Sequence, residues 1–240
     1  MPPALEDADR ETSSEGYARR FAGPVGRFFL ERQTATTLDL VAPWPGGSVV
    51  DVGGGHGQVA GPLADAGCRV TVAGSSAVCI ERVHGLVDGG RARFETVDLL
   101  RLPFPDRSFD LALSYRLLPH VARWAEVVAE LCRVARHAVI VDYPTSRSLN
   151  AVAEPFFALK KGVEGNTRPF AVFKDSQITD AFAAHGFRPT ARRPQFFWPM
   201  ALHRALGMAP LSRALEGLTA VLGLRRRLGS PVILRLERRG

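Results

Sequence analysis

An acidic residue followed by a run of glycines lies at the end of an apolar stretch near residue 50. The stretch 49–59 reads Val-Val-Asp-Val-Gly-Gly-Gly-His-Gly-Gln-Val, and four glycines follow Asp51: Gly53, Gly54, Gly55 and Gly57. Because a glycine has no Cβ, its backbone can adopt a positive φ and approach a ligand closely. A helix that begins just beyond leaves unpaired N–H groups and a positive dipole end directed at that ligand. The segment therefore predicts a ligand-binding turn between a buried strand and a helix.

The spacing of these glycines argues against two common glycine-rich sites. A dinucleotide-binding turn, G-x-G-x-x-G, requires a glycine where this chain has Gln58. A phosphate-binding loop ends in Gly-Lys-Ser or Gly-Lys-Thr, and no lysine follows the glycines here. The pattern that remains is D-x-G-x-G-x-G, from Asp51 to Gly57. A glycine-rich turn that binds nothing is the alternative interpretation.

Apolar and amphipathic segments alternate along the chain. Strands are predicted over 48–52, 69–73, 93–97, 109–114, 138–143, 187–197 and 231–237. Helices are predicted over 15–42, 57–66, 76–87, 121–136, 147–162, 174–185 and 200–228. Pro24 and Gly26 are expected to split the first of these helices. The alternation predicts an α/β fold, with a doubly wound, seven-stranded, mostly parallel sheet and helical insertions that form lids.

The predicted strands end in residues that are suited to bind a ligand. Ligands of doubly wound sheets bind outside the carboxyl ends of the strands. Five such ends are expected to line one rim of the sheet: Asp51, Gly74, Asp98, Ser114 and Asp142. The glycine-rich turn therefore belongs to a larger site that several strands build together.

The composition is typical of one globular domain. Of the 240 residues, 46% are hydrophobic and 23% are charged, which allows a substantial core. No apolar run approaches the roughly 20 residues that cross a bilayer, and residues 1–15 lack the features of a signal peptide. We therefore expect a cytoplasmic protein in which residues 1–14 are frayed. The three cysteines are widely spaced, which predicts buried thiols and no metal site: Cys68, Cys79 and Cys132.

The chain carries a formal net charge of +7, mostly from arginine. Such a charge attracts nucleic acid, anionic lipid or acidic substrates. A solvated surface in an arginine-rich composition is the alternative. Because the sequence has no aromatic-interleaved basic tract and no recognisable nucleic-acid module, we expect no nucleic-acid partner.

Three further motifs follow the glycine-rich turn in a familiar order. They are Leu-Pro-Phe-Pro-Asp-Arg-Ser-Phe-Asp at 102–110, Leu-Pro-His-Val at 118–121 and Glu-Leu-Cys-Arg-Val at 130–134. With the turn, they resemble the class I S-adenosyl-L-methionine (SAM) dependent methyltransferases. The resemblance covers residues 45–143 and is strongest to the small-molecule branch of the ubiquinone and menaquinone biosynthesis type. It implies a Rossmann-like methyltransferase fold, SAM as cofactor and S-adenosyl-L-homocysteine (SAH) as its product.

The resemblance also implies roles for individual residues. Asp51 would bind the amino group of SAM, and the backbones of Gly53, Gly54, Gly55 and Gly57 would let the methionine moiety approach. Asp98 would accept a hydrogen bond from the adenine amino group, with Leu99 beside it. Ser114 and Tyr115 would line the methionine end of the cofactor.

The chain departs from the family pattern at the end of the second strand. The family usually has an acidic residue there that binds both ribose hydroxyls, whereas this chain has Gly74. Ser75 or Ser76 could replace one of those hydrogen bonds. Loss of a charge-assisted pair should cost about 1–3 kcal/mol if nothing replaces it. SAM would then bind weakly, be held by other residues, or no longer be used for catalysis.

The substrate side is expected outside the common core. Five candidate substrate contacts come from the N-terminal helices and the later insertions: Tyr17, Phe21, Phe156, Arg168 and Phe197. An apolar pocket with few polar anchors is typical of sites for small organic molecules. We expect a hydrophobic or aromatic acceptor such as a polyketide, a quinone or an isoprenoid-like compound. His120 is the candidate general base if the acceptor must lose a proton, and a structural histidine at a helix start is the alternative.

These expectations describe one methyltransferase domain over 1–240. It would comprise an N-terminal helical lid (15–42), a SAM-binding core (45–143), substrate-side insertions (147–228) and a last strand (231–238). The apolar and basic faces of the last insertion also permit peripheral membrane contact or a homodimer.

Two other functions are alternatives to a small-molecule methyltransferase. The main alternative is a SAM-fold protein that has lost methyl transfer and serves as a ligand-binding or partner subunit, or in another SAM-dependent reaction. An RNA methyltransferase is suggested only by the charge, and the motifs typical of that class are absent.

Overall fold

The computed structural model describes residues 6–149 and 170–240, and a seven-stranded sheet forms its centre. The strands are β1 (Ser48–Val52), β2 (Arg69–Gly74), β3 (Ala92–Thr96), β4 (Phe109–Ser114), β5 (Ala135–Tyr143), β6 (Phe187–Phe196) and β7 (Ser230–Arg238). Their order is β3-β2-β1-β4-β5-β7-β6. The first five strands run parallel, and β7 is antiparallel to both of its neighbours. The predicted fold class is confirmed.

Helices cover both faces of the sheet. They are α1 (Ala8–Thr12), α2 (Glu15–Arg19), α3 (Gly23–Val41), α4 (Ala60–Asp65), α5 (His84–Asp88), α6 (Trp124–Val134), α7 (Asp175–Ala183), α8 (Met200–Leu206), α9 (Ala209–Val221) and α10 (Leu224–Leu228). Leu131 of α6 and Phe182 of α7 pack in one core cluster, whereas Leu40 of α3 and Leu63 of α4 pack in the other. Because both faces are buried, the central strands read as continuous apolar runs.

The helices next to the glycine-rich turn are shorter than predicted. The helix expected over 57–66 begins at Ala60, because Gly53 (φ +76°) and Gly57 (φ +69°) are left-handed and flank a 3-10 turn at Gly54–His56. The segment expected as one helix over 76–87 forms a 3-10 turn, Ala77–Ile80, followed by α5. These short elements keep the backbone close to the ends of β1 and β2.

The N-terminal residues contradict the expectation of a frayed start. Residues 8–12 form α1, which packs on the glycine-rich turn, and Ala8 and Asp9 are both buried. The backbone N–H of Ser75 donates a hydrogen bond to Asp9 Oδ2 at 2.7 Å. This partner lies 66 residues away in sequence, so no local pattern could have predicted the ordered start.

The segment between β6 and β7 forms three helices, α8 to α10, beside α3. Phe28 and Phe29 of α3 pack there against Phe196 and Ala209. Within the described parts of the chain, no helix combines the length and apolar character needed to cross a membrane. Most of the helix predicted over 147–162 lies outside the described residues, as do Phe156 and Arg168.

Candidate functional site

The glycine-rich turn brings the backbone directly over the end of β1. Gly53 N–H donates to the carbonyl of Ala73 at 2.8 Å, which ties the turn to β2. A Cβ on Gly54 would lie 2.1 Å from Asp51 Oδ2, so no larger residue fits there without movement. The turn therefore forms a tight cradle around the Asp51 carboxylate.

Asp51 is a fully buried acid without a partner. Neither carboxylate oxygen has a hydrogen-bond partner among the residues that the structure describes. Loss of hydration raises the pKa of Asp51 from 3.8 to about 7. A buried carboxylate without a donor is costly, so this position is suited to a ligand that carries a positive or hydrogen-bonding group.

The end of β2 has no room for the acid that the family usually places there. A Cβ on Gly74 would lie 2.8 Å from Cys79 Cβ and 3.0 Å from Phe94 Cζ. Ser75 and Ser76, predicted near the ribose, are half-buried beside it. Any carboxylate at this edge must therefore come from another element.

We expect Gly74→Asp to destabilise the protein rather than restore a ribose contact. The new side chain would overlap Cys79, and overpacking of this kind costs about 1–3 kcal/mol. Urea unfolding measures the loss. Gly85→Asp is the matched control, because a Cβ at Gly85 meets no atom within 4 Å. Wild-type stability together with tighter SAH binding in Gly74→Asp would contradict this expectation.

Asp9 supplies a carboxylate at the edge where β2 lacks one. Besides the bond from Ser75, its Oδ2 accepts a weak hydrogen bond from Cys79 Sγ at 3.6 Å. Its Oδ1 is buried and has no partner among the described residues. The sequence analysis missed Asp9, because only the folded chain brings α1 to the end of β2.

The other predicted cofactor residues lie on the same rim, but several use their polar atoms within the protein. Asp98 Oδ1 accepts from the Leu100 N–H at 2.9 Å, while Leu99 is fully buried. Ser114 Oγ donates to the carbonyl of Val52 at 3.0 Å. The Tyr115 hydroxyl lies 2.9 Å from Thr37 Oγ1. Ser114 and Tyr115 thus fasten β4 to its neighbours.

A cavity of about 410 Å³ opens beside this rim, beyond the ends of β4 and β5. Tyr17, Phe21 and His120, which the sequence analysis selected, all line it. Phe197, which follows β6, does not line the cavity, whereas Phe196, the last residue of β6, is buried and lines it. The cavity wall contains no residue of the glycine-rich turn.

Arg116 is a second residue of the candidate site that the sequence analysis missed. It follows β4 with a φ of +58°, a left-handed conformation that costs a residue with a Cβ about 1–2 kcal/mol. Its backbone N–H donates to Asp142 Oδ1 and its Nη2 donates to Gln33 Oε1, both at 2.6 Å. Burial raises the pKa of Asp142 to about 6. The strained backbone directs the guanidinium toward the cavity wall.

The sequence of residues 50–141 matches the family model described as a methyltransferase domain. An O-methyltransferase of Pyrenophora dematioidea is 29% identical over 112 residues, which cover 44% of this chain and 42% of that protein. A ubiquinone biosynthesis O-methyltransferase of Hahella chejuensis is 31% identical over 111 residues, covering 45% and 47%. The chain thus spans less than half the length of these curated relatives.

A solved structure extends the similarity to nearly the whole chain. The magnesium protoporphyrin IX methyltransferase of Synechocystis PCC 6803 with bound SAH has a TM-score of 0.67 and 17% identity, covering 96% of this chain and 98% of that one. At this identity the comparison shows the fold. SAM is the cofactor of the family, in agreement with the cofactor predicted from the sequence. Residues 50–141 thus match a methyltransferase domain, and the chain shares the fold of class I SAM-dependent methyltransferases.

Proposed function

We propose that the chain transfers the methyl group of SAM to a small hydrophobic or aromatic metabolite. The observation that carries this proposal is the Asp51 carboxylate, which is fully buried beneath the glycine-rich turn and has no partner among the described residues. An ammonium group would satisfy it, and the methionine moiety of SAM carries one. The turn and the acid therefore fit this cofactor.

The remaining cofactor contacts follow the order of the strands. The backbones of Gly53, Gly55 and Gly57 would let the methionine moiety approach, and Asp98 with Leu99 would flank the adenine. At the ribose edge, beside Gly74, Ser75 and Ser76, we propose that Asp9 provides the acid that β2 lacks. Its unpartnered Oδ1 and its bond from Ser75 support this role.

Methyl transfer depends more on alignment of the acceptor with the methyl group than on acid–base catalysis. When bound, SAM supplies an electrophilic methyl group on a sulfonium. The aromatic walls of the cavity, including Phe21 and Phe196, exclude water and orient an apolar acceptor. His120 lines the same cavity and would act as the base if the acceptor loses a proton. In that case His120→Gln would lower kcat without raising KM, and an unchanged kcat would exclude the role.

The acceptor class is inferred from the cavity and from the relatives. Aromatic side chains dominate its apolar wall, which suits polyketide, quinone or isoprenoid-like compounds. Two of the curated relatives are named as O-methyltransferases, which favours oxygen as the acceptor atom.

One observation favours a second function, a protein that keeps the SAM fold without methyl transfer. Ser13 Oγ lies 2.3 Å from the place where a Cβ on Gly55 would stand, so the segment after α1 rests directly on the turn. Together with Gly74, this contact would suit a ligand-binding or partner subunit, or a protein of another SAM-dependent reaction.

Calorimetric titration with SAH distinguishes the two functions. We expect micromolar binding to the full chain, because the buried Asp51 carboxylate and the glycine-rich turn are both in place. Asp98→Ala tests whether binding uses the adenine end of the rim. No heat at millimolar SAH would overturn the proposal in favour of the second function.

The surface of α9 is the candidate region for the proposed contacts with a membrane or with a second copy of the chain. Exposed apolar side chains occur on and beside this helix, including Leu218, Val221 and Leu222. Flotation with anionic liposomes at low salt tests the first contact, and sedimentation tests the second. Absence of lipid association would end the membrane proposal.

A further inference from the structure

Three arginines surround one pair of aromatic rings in the cavity wall. The rings of Tyr17 and Phe21 pack in a tilted arrangement, with 5.7 Å between their centroids and 47° between their planes. The guanidinium carbon of Arg116 lies 3.9 Å from the Phe21 centroid, that of Arg204 lies 5.9 Å from it, and that of Arg20 lies 5.1 Å from the Tyr17 centroid. We call Arg20, Arg116 and Arg204 the arginine cluster.

The cavity balances little of the positive charge of this cluster, and the Glu11 carboxylate that lies 3.9 Å from Arg20 Nη2 is not part of its described wall. Among the described residues that line it, Asp142 is the one acid, against three arginines. Asp142 accepts from the backbone N–H of Arg116, and the structure shows no ion pair to the Arg116 guanidinium in the described parts of the chain. That guanidinium instead donates to the neutral amide of Gln33 and interacts with the Tyr17 hydroxyl, while its Nη1 has no hydrogen-bond partner among the described residues.

The cluster is not explained by the fold alone. Burial lowers the pKa of Arg204, and repulsion by the like charges of Arg20 and Arg116 lowers it further. Arg116 also holds a left-handed backbone that a glycine would adopt without strain. Unfavourable arrangements of this kind concentrate at functional sites.

We propose that the arginine cluster binds an oxyanionic group, a carboxylate or a phosphate, on the methyl acceptor. The inference rests on the proposed methyl transfer and deepens it, since the acceptor would be an apolar body with an acidic group. Guanidinium groups bind such oxygens with paired, charge-assisted hydrogen bonds. Phe29 and Phe196, on the same cavity wall, would contact the apolar body.

The methionine carboxylate of the cofactor is the other source of an oxyanion. The geometry favours the acceptor, because neither Asp51 nor any glycine of the turn lines the cavity. Binding experiments with SAH separate the two sources.

The test uses 8-anilinonaphthalene-1-sulfonate, an aromatic oxyanion, and its uncharged relative N-phenyl-1-naphthylamine. Fluorescence titrations would compare the wild-type chain with Arg116→Gln and Arg204→Gln. Arg116→Gly is the second variant at the first position, because glycine relieves the positive φ. Arg91→Gln is the matched control, since this exposed arginine pairs with Asp65, away from the cavity.

We expect each cluster variant to weaken binding of the anionic probe about tenfold, with the neutral probe, the control variant and SAH binding unchanged. Equal loss of both probes, or unchanged binding of the anion, would overturn the proposal. Loss of SAH affinity in Arg116→Gln would assign the cluster to the cofactor carboxylate. If the wild-type chain binds the anion but not SAH, the proposed methyl transfer fails while the oxyanion site stands.

Discussion

Replacing Asp51 by asparagine is expected to weaken SAH binding about 100-fold and to stabilise the protein at neutral pH. Removing one member of a buried charge pair costs about 2–5 kcal/mol of binding free energy. Asp51 is the one acid beneath the glycine-rich turn in the described structure, and its oxygens have no other donor there. The same change removes a buried charge from the ligand-free protein. Calorimetry and urea unfolding measure the two effects.

The sign of the stability effect follows from the pKa. Burial raises the pKa of Asp51 to about 7, whereas the unfolded chain has a value near 4. The folded state therefore binds the proton more tightly, and its stability falls as pH rises between about 4 and 7. Between pH 5 and 8 the loss would be about 3 kcal/mol in the wild type. Asp51→Asn should lack this loss of stability. Parallel pH profiles of the unfolding free energy in the two proteins would contradict the assignment of the loss to Asp51.

Proton release gives an independent measurement on the wild type. If the SAH ammonium binds the ionised carboxylate, titration near pH 7 should release about half a proton, because the pKa of Asp51 is about 7. Calorimetry in two buffers of different ionisation enthalpy measures that number. Asp51→Asn is the control and should show no such release. Buffer-independent heats for the wild type would exclude Asp51 as the partner of the amino group.

Asp9→Asn is expected to weaken SAH binding about tenfold. Asparagine keeps the shape of the side chain but removes the charge that strengthens a hydrogen bond to a hydroxyl, a contribution of about 1.5–3 kcal/mol. Asp9 is fully buried and lies against Ser75, at the edge where β2 has no acid. Titration of the variant with SAH measures the loss.

Tighter SAH binding by Asp9→Asn would indicate a different role for Asp9. If Asp9 only holds α1 against the turn, Asp9→Asn will loosen that segment and SAH will bind more tightly. Asp7→Asn is the matched control, since Asp7 is half-buried just before α1 and its carboxylate lies 3.5 Å from Arg10. Equal loss in both variants would point to the net charge of the segment rather than to Asp9.

The fold could be predicted because its determinants are local. The apolar run 109–114 coincides with β4, and the strand before Gly53 ends where the glycines require it. Burial on both faces makes such strands easy to recognise. The glycine spacing likewise identified Asp51, because the acid and the turn are adjacent in sequence.

The decisive side chains of the site could not be predicted in the same way. Asp9 is placed at the end of β2 by a hydrogen bond that it accepts from the backbone N–H of Ser75, 66 residues further along the chain. Arg116 gains its orientation from a positive φ and from Gln33, 83 residues away. Polar contacts over such separations depend on tertiary packing and leave no periodic signal in the sequence.

The N-terminal segment lies against both proposed ligand sites and would couple them. Asp9 lies at the proposed cofactor edge, while Tyr17 and Phe21, a few residues later, line the cavity proposed for the acceptor. A ligand that orders this stretch at one end reduces the entropy that the other ligand must overcome. Linkage then makes the effect reciprocal: an acceptor that tightens SAM binding by some factor has its own affinity raised by SAM by the same factor. Ordering of the N-terminal segment would thus link the affinity for SAM to the affinity for the acceptor.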